Sequence, residues 1–232
     1  MFDNKAKRND SSREGDIPDA DPAHLPDLPP DIQGERSTTI QSCTVRRIGN
    51  PLDLASTQFA QLYSEAFSGP PYFEHFSVEE VLQNVWHPHL QAEQIVLVAE
   101  RTTQDIADRE LLGLVCGHEA LSDVEPSIRE FLRKIEQDGL SPAPLKQVLF
   151  ISELCVSTSA RRQGLGKMLT LQLLDCARDS GYTHWMTRTA AEGSNSLRIF
   201  QGLGGIPFGP LHHVGDSIAT SSDKRIYLCG EL

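Results

Sequence analysis

The chain has 232 residues, 39% of them hydrophobic, and a formal net charge of -11, which allows a real core in one domain plus a tail. Such acidity argues against nucleic acid or an anionic membrane surface as a partner and favours a cationic one, an amine or a basic peptide. With no apolar run of the ~18 to 20 residues a bilayer span needs, and no signal-peptide pattern in Met1-Phe2-Asp3-Asn4-Lys5, a cytoplasmic protein is expected.

Residues 1–36 mix Asp, Pro, Ser, Arg and Gly without an apolar period, so they are expected to be a disordered acidic and Pro-rich tail, with 37–232 as the folded domain. From Thr38 the pattern changes: Ile40, Cys43, Val45 and Ile48 predict a first strand. Leu52 to Phe67 then carries apolar residues at helical spacing, stopped by Gly69-Pro70-Pro71. A second helix is expected over Val78 to Trp86, opened by Ser77 and Glu80 as a capping box and ended before Pro88. Ile95 to Ala99 and Leu111 to Cys116 look like two strands of a hairpin. An extra helix over Pro126 to Gly139 follows from Ile128, Phe131, Leu132 and Ile135 at i, i+3, i+4 and i+7. It walls a cleft or forms a homodimer contact. Val148 to Val156 predicts a central strand, and Leu165, Met168, Leu169, Leu173 and Cys176 mark a helix ended by Gly181. Trp185 to Thr189 predicts a strand, Asn195 to Leu203 a short helix, and Ile226 to Cys229 a terminal strand. The five cysteines, Cys43, Cys116, Cys155, Cys176 and Cys229, lie in apolar stretches and form no CxxC pair. That suits buried thiols in a reducing compartment and points to no metal.

The turn between Val156 and the following helix carries the chemistry. Its sequence is Arg161-Arg162-Gln163-Gly164-Leu165-Gly166-Lys167. A helix start exposes unpaired N–H groups and the positive end of the peptide dipoles, and glycines let a phosphate come close to the backbone. Arg161, Arg162 and Lys167 add cations in an otherwise acidic chain. A Walker A loop fails here, because it needs a glycine where Arg161 stands and a Ser or Thr where Met168 stands. The dinucleotide fingerprint fails at Leu169, where its third glycine belongs.

Arg161-x-x-Gly164-x-Gly166, preceded by Leu154-Cys155-Val156, resembles the acyl-CoA signature of the GCN5-related N-acetyltransferase (GNAT) superfamily. Asn195 to Gly204 is similar to the family's second cofactor element, a short helix ending in Leu203-Gly204. The resemblance implies an α/β (α+β) fold: a mixed, mostly antiparallel central sheet flanked by helices, whose strands ending at Val156 and around Thr187 splay apart. It also implies acetyl-CoA as cofactor. Backbone groups of Leu154, Cys155 and Val156 would hold the pantetheine, and the Val156 N–H would stabilise the oxyanion of a tetrahedral intermediate. Amides of Gln163 to Lys167 would receive the pyrophosphate. Asn195 either contacts the cofactor or caps its helix. Many relatives have a tyrosine where Phe200 stands, to protonate the departing thiolate, so here another group or water supplies that proton or the thiolate leaves unprotonated.

Amine acylation needs a proton acceptor, because an alkylamine is an ammonium ion at neutral pH. Glu153, in an otherwise apolar strand, is the first candidate, the alternatives for it being a wet face or an arginine partner. Glu119, Glu74 and His118 are the further candidates. Cys155 as a nucleophile has no neighbouring histidine in sequence and is better explained as a buried thiol. In the family the segment between the first two helices covers the acceptor, which places Tyr72, Phe73 and Glu74 at the substrate. The expected function is acetyl transfer to a primary amine of a small molecule or peptide, with a non-catalytic acyl-CoA-binding regulator as the alternative.

Overall fold

Seven strands line up in one sheet in the order β1-β2-β3-β4-β5-β7-β6 among the described residues. The computed structural model describes residues 43–49, 55–91, 94–101, 109–122, 126–213 and 224–232. Both the 1–36 tail and the start of the first predicted strand at Ile40 lie outside them. In chain order the elements begin with β1 (Cys43–Ile48), α1 (Ala55–Ser68), α2 (Val78–Val81), a π-helical segment (Leu82–Trp86) and α3 (His87–Gln91). Next come β2 (Ile95–Arg101), β3 (Glu110–Glu119), α4 (Pro126–Gln137) and β4 (Val148–Val156). The chain closes with α5 (Leu165–Asp179), β5 (His184–Ala190), α6 (Asn195–Gly202), β6 (Ile206–His213) and β7 (Lys224–Glu231).

Every neighbouring pair is antiparallel except β4 and β5. The α5 helix returns the chain from β4 to β5, the crossover that a parallel pair requires. Its stripe of Leu165, Leu169, Leu173 and Ala177 packs on Leu97, Leu112, Val115 and Leu149. On the other face, Phe59 and Tyr63 of α1 and Trp86 cover Val96, Val98, Leu114 and Cys155. The α4 helix lays Ile128 and Leu132 against Phe150, Met186 and Tyr227. This accounts for the apolar runs in β2 to β4, since each is buried on both faces.

Two expectations need correction. The second helix does not end before Pro88 but continues to Gln91. The segment ahead of Pro88 is wound as a π-helix, with His87 N–H donating to the Leu82 carbonyl, and this wider turn makes room for a ring that would clash in an α-helix. The strand β6 was not expected at all. Its Ile206-Pro207-Phe208-Gly209-Pro210 sequence is poor strand material, tolerated because β6 is an edge strand with an irregular register between Phe208 and His212.

Candidate active site

The central feature is a gap between two parallel strands. β4 and β5 are in register only from Val148↔His184 to Ile151↔Thr187, although β4 runs on to Val156 and β5 to Ala190. Thr187 Oγ1 donates to the Ile151 carbonyl at 2.9 Å, so a side chain takes the carbonyl where the shared ladder stops.

A β-bulge decides what faces that gap. Opposite β3, Cys116 pairs with Glu153 and Gly117 with Ile151, leaving Ser152 as the extra residue. Leu149 and Ile151 point into the α5 core, and simple alternation would send Glu153 after them. The extra residue inverts the phase. Leu154 and Val156 take the α5 side, while Cys155 joins the α1 core and Glu153 enters the cavity on that side. Ser157 N–H donates to Leu112 O of β3 at 2.8 Å. Peptide groups alternate sides along a strand, so the N–H and C=O groups of Leu154 and Val156 face the gap.

On one side of the gap lies a cleft of about 390 Å³ lined by Leu154, Cys155, Val156, Arg161, Arg162, Gly164, Leu165, Gly166, Lys167, Asn195 and their neighbours. The α5 helix starts with Gly164 at φ 84° and no side-chain cap, and its first backbone bond is Met168 N–H to Gly164 O at 3.0 Å. The preceding N–H groups of the helix start are therefore available to an anion. Gly166 keeps α5 close to α6: a Cβ there would sit 3.0 Å from Ile199 Cδ1 and 3.5 Å from Val156 Cγ2, and the isoleucine would have to give way. Arg161 Nε donates to the Val156 carbonyl at 3.1 Å. Thr158, at the start of the connecting loop, is held by the Glu65 carboxylate of α1 through both its N–H and its hydroxyl. These residues fit a diphosphate and a pantetheine arm, with cations and bare N–H groups at one end and, at the other, the edge of β4 past its last pair with β5. The side chain of Gln163 is used locally, on Ser159 O at 2.9 Å, and does not line the cleft.

On the other side lies a cavity of about 590 Å³ lined by residues of α1, α3, α4, β3, β4, β5, α6 and β7. Glu153 reaches it, and Tyr63 Oη donates to Glu153 Oε1 at 3.5 Å. Burial first, and then the Glu153 carboxylate, raises the Tyr63 hydroxyl far above the usual tyrosine range, so it stays a proton donor to Glu153. Ser152 makes a second anchor for the bulge. Its hydroxyl lies 2.8 Å from His89 Nε2, while His89 Nδ1 lies 2.6 Å from the Val85 carbonyl. A carbonyl only accepts, so Nδ1 carries the proton and Nε2 accepts from Ser152. Burial pushes His89 down to about 4, which keeps it neutral.

The sequence candidates separate clearly. Tyr72 lines both cavities; its hydroxyl lies 3.3 Å from Thr189 Oγ1, which in turn is 2.7 Å from Ser196 Oγ and 3.0 Å from Ser194 Oγ. Glu74 lines the 590 Å³ cavity and pairs with Arg225 at 3.1 Å. Phe73 is 61% exposed and lines neither cavity. Glu119 also lies outside both linings, its carbonyl accepting from His118 Nδ1 at 2.8 Å. His118 itself is buried in the wall of the 590 Å³ cavity. Ser194, not Asn195, is the cap of α6, accepting from Leu197 N–H; Asn195 is exposed on the rim of the 390 Å³ cleft. Phe200 is buried against Trp185, 5.8 Å between ring centroids, and walls the 590 Å³ cavity instead of the 390 Å³ cleft. Burial first, and then Glu153, raises the Cys155 thiol well above its usual value, which agrees with an inert thiol.

Sequence reasoning missed Arg225, Arg188, His89 and Ser152, all of which line the 590 Å³ cavity. Arg225 is the most conspicuous, with a side chain only 8% exposed and its guanidinium 5.2 Å from the Tyr72 ring centroid. A charged residue entering the apolar run Ile226 to Cys229 was the available signal. Among the described residues no group of three or more His, Cys, Asp or Glu is placed to hold a metal, and no helix is long and apolar enough to cross a membrane.

The acetyltransferase (GNAT) family model matches residues 58–204. A search of curated proteins by sequence gave no match. Among solved structures, ribosomal-protein-alanine N-acetyltransferase from Brucella melitensis superposes with a TM-score of 0.55 at 14% identity, over 82% of this chain and 99% of that one. A Salmonella typhimurium protein solved with its cofactor acetyl-CoA gives a TM-score of 0.57 at 14% identity, over 82% and 93%. A GCN5-related N-acetyltransferase from Kribbella flavida gives 0.56 at 16% identity, over 82% and 98%. At these identities the likeness establishes the fold, a mostly antiparallel sheet flanked by helices. The family match extends from within α1 past the end of α6 and takes in the whole turn from Arg161 to Lys167, so the chain belongs to the GNAT acetyltransferase family.

Proposed function

We propose that the protein is an acetyl-CoA-dependent N-acetyltransferase acting on a primary amine of a small molecule or peptide. The observation that carries this reading is the gap beyond Ile151 and Thr187, with the bare start of α5 on one side and Glu153 on the other. Acetyl-CoA would supply an activated acetyl thioester. The first-turn N–H groups of α5, with Arg161, Arg162 and Lys167, would hold its diphosphate, and the edge of β4 at Leu154 and Val156 its pantetheine arm. An N–H of this edge, that of Val156 or Leu154, is oriented to stabilise negative charge on the reacting carbonyl oxygen, worth on the order of 3 kcal/mol when preorganised.

Glu153 takes the proton from the attacking amine. The Tyr63 hydroxyl and the bulge at Ser152 orient it. Because Phe200 has no hydroxyl, the proton for the departing sulfur comes from the hydroxyl chain of Tyr72, Thr189 and Ser196, whose two ends line both cavities. The test is thiol release from acetyl-CoA in the presence of an amine, together with Glu153→Gln, which should lower the rate and leave acetyl-CoA-dependent thermal stabilisation intact. Stabilisation by acetyl-CoA with no turnover over a broad amine panel would favour a non-catalytic acyl-CoA-binding regulator, the reading that Phe200 supports.

A further inference from the structure

The 390 Å³ cleft and the 590 Å³ cavity share four lining residues: Phe67, Tyr72, Leu154 and Ser196. Leu154 turns its side chain toward α5, and Ser196 presents a hydroxyl bound to Thr189. The bulk at the junction is therefore two rings, Phe67 and Tyr72, with centroids 4.8 Å apart. Both are held in place. Phe67 packs against Tyr63 at 4.5 Å and Phe76 at 6.3 Å, and Tyr63 is tied in turn to Glu153. Tyr72 is bound to Thr189 through its hydroxyl and has the Arg225 guanidinium 5.2 Å from its ring centroid. The turn that carries the two rings is closed by main-chain bonds. Tyr72 and Phe73 N–H donate to the Gly69 carbonyl at 3.1 and 3.0 Å, and Glu74 N–H to the Phe67 carbonyl at 2.9 Å. Such a cluster resists an inserted methylene, because room for it comes only from displacing several side chains together.

We propose that Phe67, backed by Tyr72, sets the length of the acyl group that the protein transfers, admitting acetyl and excluding butyryl. An acyl carbon at the β4 edge, within reach of an amine that faces Glu153, lies where the cleft and the cavity join. The space ahead of that carbon belongs to the attacking amine, so a longer chain has to turn into the two rings. This inference rests on the N-acetyltransferase reading and names the donor for the same site.

The experiment titrates the wild type, Phe67→Ala and Phe67→Leu with CoA, acetyl-CoA, propionyl-CoA and butyryl-CoA by calorimetry without acceptor. Thiol release is then measured with the best amine of a broad panel. Butyryl-CoA should bind the wild type about tenfold more weakly than acetyl-CoA and turn over with kcat/KM roughly a hundredfold lower, with propionyl-CoA between the two. Phe67→Ala removes a ring and opens space, so both ratios should come within about threefold of unity, through a gain on butyryl-CoA and not merely a loss on acetyl-CoA. Phe67→Leu should shift them in the same direction but less; it keeps more of the apolar volume and serves where the alanine variant does not fold. Equal binding and turnover of acetyl-CoA and butyryl-CoA by the wild type overturns the proposal, as does a preference unchanged in the Phe67 variants. If the variants lose CoA as well, Phe67 holds the cofactor or the fold and not the acyl end, and the proposal falls. No thiol release with any amine overturns the N-acetyltransferase reading, while the titrations still judge the junction. No binding of CoA or any of its thioesters overturns both.

Discussion

The two cavities that meet at the gap are built from different materials. In the 390 Å³ cleft the stretch 154–167 presents strand edge, helix start and two glycines, facing residues of α1, the Pro70 to Tyr72 turn and the start of α6. The 590 Å³ cavity is made of side chains from eight elements and from the Tyr72 to Phe76 loop, including both members of the Arg225–Glu74 pair. A site built from main chain depends on backbone path, and most side-chain changes leave it standing. A site built from converging side chains changes with each of them.

The strongest way to sharpen this contrast is Glu153→Gln. It should lower kcat about 100- to 1,000-fold, as loss of a proton acceptor does, while acetyl-CoA raises the melting temperature as much as in the wild type. His89 gives the next largest effect, in stability. Its native pKa of about 4 lies below the ordinary 6.5, so between these values the unfolded chain binds a proton that the folded one refuses. Stability is full above pH 6.5 and falls as pH drops toward 4, by at most about 3 kcal/mol. Denaturant unfolding of the wild type and His89→Gln at pH 7.5 and 4.5 should show a smaller pH difference in the variant. Gly166→Val tests the main-chain side. With Ile199 Cδ1 already 3.0 Å from where a Cβ would sit, overpacking should cost about 1–3 kcal/mol and raise KM for acetyl-CoA more than it lowers kcat. The smallest effect belongs to Ser152→Ala. Losing the 2.8 Å bond to His89 should cost about 1 kcal/mol and lower kcat a fewfold, with KM for acetyl-CoA unchanged.

The same contrast explains what could be read in the sequence. The Arg161 to Lys167 turn is contiguous, so its glycines and cations can be read from the sequence as a candidate anion site, and periodicity placed β2 to β5 and α4 to α6 to within a few residues. The Ser77–Glu80 capping box is present as expected, with Ser77 N–H on Glu80 Oε2 at 2.7 Å and Glu80 N–H on Ser77 Oγ at 3.2 Å. Pro88 misled because a π turn absorbs it, and β6 was missed because an edge strand tolerates prolines. The residues of the 590 Å³ cavity had no such local signature. Ser152 meets His89 across 63 positions and Arg225 meets Glu74 across 151, and no spacing rule reaches that far. Asn195 was placed one residue from the actual cap, Ser194, because either side chain can accept from a helix N–H.

One inserted residue fixes the sidedness of everything that follows it in β4. Ser152 puts the strand's alternation out of phase, so that Leu149 and Ile151 face the α5 layer before it and Leu154 and Val156 after it. Were Ser152 drawn into an unbroken ladder, every later side chain would change layers and a carboxylate would come under the leucines of α5, where a buried charge is too costly to keep. Deleting Ser152 would instead leave Ile151 followed directly by Glu153, with the carboxylate still on the α1 side, so such a deletion would keep the sidedness of β4 and lose the contact to His89.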